Sequence, residues 1–343
     1  MSTAKGKPVS LLKKAGRRYG LQAFNAMALG LFSSLIIGLI ISQVAQLPFL
    51  SFLAPFSEIV SATSPVVGAA TGVAIAYGIK VHQLAIFSSA ATGAFGYMLG
   101  GPIGAYIAAV VGAEFGNLIA GKTKVDIVLV PGITIITGCL AGQFAGPGID
   151  TAMTALGELI NNATALQPIP MGAAIATLMG MTLTGPVSSA ALAISMGLDG
   201  LAAGAATVGG AAQMVGFAVA SYRENKFGGL LAQGLGTAML QIPNILKRPQ
   251  IWIPPTLAGA ILGPISTSLL QMTNNPMGAG MGTSGFVGQI GTWASMSDTT
   301  DPVILFTKIL FMHFILPAIL TIIFSEIMRK KGWIRFGDMK LDL

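Results

Sequence analysis

The sequence predicts an all-α polytopic membrane protein, with about ten transmembrane helices plus one or two re-entrant hairpins. Three observations carry that prediction. The 343 residues are 53% hydrophobic and 9% charged, with a mean hydropathy of +0.76, too little polar surface to cover a water-facing globule. Long apolar runs such as Leu31 to Val44 and Val303 to Phe324 suit helices rather than the alternating ten-residue stretches of a β-barrel. The 45 glycines would weaken soluble helices, but in lipid small residues let backbones pack closely and let helices break.

The first 21 residues form a basic, Leu-spiked segment, with Leu11, Leu12 and Leu21 placed to face lipid. Basic residues cluster at both ends: Lys5, Lys7, Lys13, Lys14, Arg17 and Arg18 precede the first apolar run, while Arg329, Lys330, Lys331, Arg335 and Lys340 follow the last. By the positive-inside rule both termini lie in the cytoplasm and the crossings are even in number. The net charge of +7 sits at span ends, not on an amphipathic face with interleaved aromatics, so nucleic acid is excluded as a partner. The N-terminal apolar run is too long for a signal-peptide core and is expected to be retained.

Spans then follow at Gln22 to Ala45, Ile59 to Ile79, Leu84 to Gly100, Ile103 to Gly121 and Ile127 to Ala145. Pro48 to Glu58 reads as an external loop, and Lys80 and Lys122 mark inside ends. Gly101 and Pro102 make the turn between the third and fourth spans. Gly148 to Gln167 carries apolar residues at helical spacing among polar ones, and reads as an amphipathic linker helix at the outer interface. The domains expected are therefore 1–21 interfacial, 22–147 scaffold, 148–167 linker, 168–327 transport and 328–343 cytoplasmic tail.

The later half breaks the count. Arg223 and Lys226, then Lys247 and Arg248, both read as inside markers, yet only one moderate span, Phe227 to Ile245, lies between them. Either one element re-enters or one of these basic pairs lies in an unusual place, and irregular backbone at membrane depth is tolerated only where protein buries it or it lines a wet cavity. A span from Trp252 to Gln271 follows. The stretch Thr273 to Met296 is too glycine-rich and polar for a lipid-facing helix and too apolar for a solvated loop, so it reads as a hairpin. Asp298 and Asp301 mark the outside before the last span, Val303 to Ile327.

No catalytic motif, metal-ligand cluster or cofactor signature is present, and single Cys139 in an apolar run reads as a packing residue. Two polar, glycine-broken segments are candidate solute sites. Thr184, Ser188 and Ser189 stand where Gly185 and Pro186 break a helix and expose backbone groups; the alternative is a plain loop. Asn274, Asn275, Thr283, Ser284 and Gln289 supply uncharged donors and acceptors suited to a hydroxylated ligand. His313 faces the protein interior and is a further candidate. Glu114 lies eight residues before Lys122, roughly 12 Å into the bilayer, and reads as either a coupling or a structural group. Lys308 is expected to snorkel or pair with Asp301, and His82 to be solvated in a short turn.

The strings TGPVSSAA at 184–191 and NNPMGAGMGTSGF at 274–286, in this layout, resemble the membrane IIC subunit of sugar phosphotransferase systems, in its short, perfringolysin O regulator-like type. The resemblance covers Gln22 to Ile327. It implies a homodimer in a cytoplasmic membrane, with a scaffold joined by an amphipathic helix to a transport domain that moves a small polar, sugar-like solute as an elevator. Glucose-type subunits of this kind place a glutamate and a histidine at the sugar; here no acidic residue lies between Thr273 and Met296, and no phosphorylatable IIA or IIB domain is present. A carrier without coupled phosphorylation is therefore expected. The alternatives are a membrane sensor regulating gene expression and a phosphotransferase subunit completed by separate IIA and IIB proteins.

Overall fold

The computed structural model describes residues 14–45, 48–61, 63–185 and 188–341. The first thirteen residues of the basic segment, Leu11 and Leu12 among them, and Pro186 and Val187 of the 184–189 string lie outside the described residues. The fold is 84% helical, and no strand occurs among the described residues. In chain order the helices are α1 (Gly16–Ser42), α2 (Ala54–Ile59), α3 (Pro65–Gly78), α4 (Gln83–Ile119), α5 (Asp126–Leu166), α6 (Pro168–Thr184) and α7 (Ser189–Ser195). There follow α8 (Gly200–Ala220), α9 (Tyr222–Leu231), α10 (Ile242–Lys247), α11 (Ile253–Pro264), α12 (Pro276–Ala279), α13 (Val287–Met296) and α14 (Pro302–Lys330). Five of them, α1, α4, α5, α8 and α14, are long and apolar enough to cross a membrane.

Several boundaries differ from expectation for local reasons. Pro48 to Glu58 is not a loop: a 3₁₀ turn Pro48–Leu53 runs into α2. The second span is only the 14-residue α3, because Pro65 opens it and the Ser64 hydroxyl caps it by accepting from the Val66 amide at 3.2 Å. The fifth span and the linker are one uninterrupted helix, α5; Pro131 and Pro147 both lie inside it. The single span Phe227 to Ile245 is instead a broken element, described below. His82 is not merely solvated: its ring Nδ1 caps α4 by accepting from the Leu84 amide, and its own amide donates to Asn117. Lys308 donates to the Leu270 carbonyl at 3.0 Å, while Asp301 caps the start of α14. Cys139 is half-buried rather than core.

The chain forms two compact units, one of residues up to 34 with 63–147 and the other of 35–61 with 148–341. In the first, Gly100 and Gly101 leave helical geometry (φ 54° at Gly101) and fold α4 back on itself, so arms 83–99 and 102–119 lie side by side. Bare glycine faces let the backbones meet: a Cβ on Gly93 would sit 2.6 Å from the Gly72 Cα, and one on Gly112 2.6 Å from the Thr134 carbonyl. Glu114, on the second arm, accepts from Arg18 Nε at 2.6 Å and from the Tyr19 hydroxyl at 3.1 Å. An ion pair answers the cost of burying its charge.

In the second unit α8 is buried almost throughout, and α6, α11 and α14 surround it. The sequence of α8, GLAAGAATVGGAAQMVGFAVA, explains this. Small residues on every face let neighbours approach from all sides, as where Gly180 faces Gly209 and Gly216 faces Thr321.

Candidate functional site

Three interrupted helices build the site in the second unit. First, α6 ends at Thr184 and Gly185, and the Ser188 hydroxyl restarts the chain by capping α7 at the Ala191 amide. Second, α9 leaves helical geometry at Lys226 and runs through a π-helical turn, Ala232–Gly236; Thr237 is fully extended (φ −160°) before a 3₁₀ turn, Ala238–Gln241, leads into α10. Third, α12 and α13 flank a tip in which Gly282 and Gly285 have φ near 54°, and Phe286 is held at φ 60°. A left-handed conformation in a bulky residue costs roughly 1 kcal/mol or more and marks a place where the surroundings over-determine the backbone.

Hydroxyls tie the three breaks together. Thr283 donates to the Gly234 carbonyl at 2.5 Å, Ser284 to the Gly236 carbonyl at 2.9 Å, and Ser189 to the Gly280 carbonyl at 2.6 Å. Behind the tips, buried Asn274 is a strut. Its Nδ2 donates to the Thr207 hydroxyl (2.6 Å) and the Gly288 carbonyl (2.9 Å), and its Oδ1 accepts from the Asn275 amide. Asn275 in turn caps α12 by accepting from the Gly278 amide. Thr184 donates to Gln213 at 3.1 Å, and Gln213 also accepts from the Trp252 indole and donates to Thr256.

Gln289 and His313 differ from the rest. A π-helical turn, Phe311–Ile315, interrupts α14 and turns His313 inward, 1% exposed. Gln289 Nε2 lies 3.1 Å from His313 Nδ1. An amide N–H can only donate, so Nδ1 accepts and the ring proton is assigned to Nε2. That Nε2–H and the Gln289 Oε1 are both buried and have no partner. One donor and one acceptor thus stand ready beside the tips, where Phe286, 48% exposed, packs against Phe314 at 6.2 Å between ring centroids.

The structure therefore brings Thr184, Ser188, Ser189, Asn274, Asn275, Thr283, Ser284, Gln289 and His313 into one unit, all uncharged in the tautomers described. Most of them hold the frame, and two keep open valences. Glu114 belongs to the first unit. Reading the sequence missed Gly234 to Thr237, Gln213, Trp252 and Phe286: the excess of inside markers pointed to the 227–245 segment, but no local motif distinguished its tip. Among the described residues no cluster of three or more His, Cys, Asp or Glu side chains suits a metal ion.

Long apolar helices with polar, interrupted segments between them define a multi-pass membrane protein of the permease type. A family model described as phosphotransferase system, EIIC, matches residues 21–341, and the chain belongs to that family, as a membrane sugar-permease subunit. No curated protein and no solved structure matches the chain.

Proposed function

We propose that this subunit carries an uncharged, hydroxyl-bearing solute across a cytoplasmic membrane by an elevator movement, without coupled phosphorylation. The observation behind this reading is the open donor and acceptor on His313 and Gln289 beside the joined tips. A solute with several hydroxyls accepts from one and donates to the other through separate groups, and an unmet buried polar group is a site's natural claim on a ligand. Ser188, Asn275 and Ser284 border the same tips and complete the polar lining, while Thr184, Ser189, Asn274 and Thr283 keep them in register. Phe286 offers an apolar ring face to the solute.

In the membrane, residues 222–247 and 274–296 act as re-entrant hairpins in a transport domain of residues 168–327. Both feet of the first hairpin bond the same C-terminal segment, which supports entry and exit on one side. Residues 22–147 serve as the scaffold and homodimer contact, 148–167 as the link, and both termini face the cytoplasm. Glu114, paired with Arg18, is a structural group of the scaffold.

The absence of a carboxylate between Thr273 and Met296 supports uncoupled transport, since no base there takes a sugar hydroxyl's proton. Proteoliposomes holding the purified chain alone test this with a panel of labelled neutral hexoses and alditols. Saturable uptake without phosphoenolpyruvate, lost in Gln289→Leu, is the expected result; non-saturable flux overturns the reading, and binding without flux makes the protein a sensor. Membership of the EIIC family favours a second reading, in which separate IIA and IIB proteins phosphorylate the sugar. Uptake that appears only with those proteins and phosphoenolpyruvate would establish it.

A further inference from the structure

The C-terminal residues 333–341 were expected only as a basic tail, yet they fold back and are held by the feet of the broken hairpin 222–247. Ile334 and Met339 are 2% and 1% exposed and enter the apolar cluster around Phe217, Ile245 and Ile251. The backbone from Met339 to Leu341 is gripped by side-chain amides from both legs. Asn225, on the first leg, donates to the Met339 carbonyl and accepts from the Leu341 amide, each at 2.8 Å. From the second leg, Gln241 donates to the same Met339 carbonyl at 3.0 Å and Asn244 to the Lys340 carbonyl at 2.8 Å. A bound peptide backbone gripped in this way acts as a clasp, because either leg can leave only by breaking bonds to it.

The grip continues inward. Gln241 Nε2 also donates to Gln233 Oε1 at 2.8 Å, and Gln233 Nε2 donates to the Ser221 hydroxyl and the Gly229 carbonyl. Gln233 and Gln241 are both fully buried. The residue after Gln233 is Gly234, whose carbonyl accepts from Thr283 in the opposing tip. An unbroken run of hydrogen bonds therefore leads from the tail to the tip-to-tip contact, with one peptide unit as its last link.

We propose that residues 333–341 are a latch: seated across both feet, the tail holds the tip Gly234 to Thr237 closed against Thr283 and Ser284, and release of the tail frees that tip to open. The claim stands on this hydrogen-bond path and does not depend on which solute is carried. It makes the tail a control point for access to the site, since anything that binds and withdraws the tail shifts the tip toward its open state.

The test uses the full chain in detergent with Cys139→Ser, and Gly234→Cys, at a buried position of the tip, as a probe. A Cβ at Gly234 would meet only the Ala218 Cβ, at 3.4 Å, so the cysteine fits and is shielded while the tip is closed. The rate of maleimide labelling is compared with and without the pair Asn225→Ala and Asn244→Ala, and separately with Ile334→Asp, which alters the tail alone. Hydrogen exchange at 333–341 reports release, and exchange at 83–119 reports that the rest of the fold is intact. Loss of two or more hydrogen bonds is expected to raise the labelling rate about tenfold in both variants. A released tail with labelling unchanged within about twofold overturns the proposal. A tail that stays protected in both variants also overturns it, since the amides and the Ile334 anchor would then not be what holds it.

Discussion

Two helical hairpins in this chain turn at glycine, and they use their hydroxyls in opposite ways. In the arms of α4, Ser88, Ser89 and Thr92 donate to carbonyls three or four residues back in their own helix. Such back-bonding satisfies the hydroxyl without tying it to anything else, so the arms are held by close glycine packing. In the hairpin 274–296, Thr283 and Ser284 donate to the carbonyls of another broken helix, and Asn274 reaches Thr207 on α8. Polar bonds between elements can be exchanged for others, whereas interlocked backbones cannot slide without a clash. The second hairpin also presses glycine on backbone, Gly280 against Ser189 and Gly282 against Gly210, so it adds exchangeable polar bonds to the kind of packing on which the first relies alone.

Substitutions should separate the two modes. The largest effect is expected at the glycine seams: Gly93→Leu forces side-chain atoms into the Gly72 backbone and should cost about 3 kcal/mol or more, read as lost folded yield and a lowered Tm of the solubilised protein. Next comes Asn274→Ala, which removes three hydrogen bonds and leaves the Asn275 amide without its partner, while Thr207 and Gly288 keep bonds to Ala203 and Thr292; about 2 kcal/mol is expected, by denaturant or thermal unfolding. If Gly93→Leu proves the milder of the two, backbone contact is not what holds the first unit.

Smaller changes sharpen the contrast. Ser284→Ala should cost about 1 kcal/mol and raise hydrogen exchange at Gly236 and Thr237, while Ser88→Ala should stay within about 0.5 kcal/mol of the parent with exchange unchanged. Gln289→Leu is read in transport rather than in stability. It removes a buried acceptor that has no partner but also the donor to His313 Nδ1, so a loss of about 1–2 kcal/mol is expected while solute uptake is lost. A large loss of stability there would assign Gln289 to the frame rather than to the solute.

Particular residues show where the sequence was legible. The Gly101–Pro102 turn could be read because it is local: only glycine takes φ 54° there without strain, and proline starts a helix readily. The break at Gly185 and the hairpin within 273–296 could be read because glycine and polar residues cluster in otherwise apolar sequence. The tip Gly234 to Thr237 could not, since a glycine and a threonine in an apolar run are equally at home inside a membrane helix. The count of inside markers showed that something near it was irregular, not where.

Composition, charge placement and glycine spacing fixed the class of protein, the helical architecture and two of the three interrupted segments, because each depends on the residue's own backbone preference or on transfer from water to lipid. Which hydroxyl meets which carbonyl, the inward turn of His313, the pairing of Glu114 with Arg18 and the seating of the tail on Asn225 were decided by the tertiary structure alone. These contacts join residues as many as 116 positions apart, and no local rule relates the two ends of such a bond.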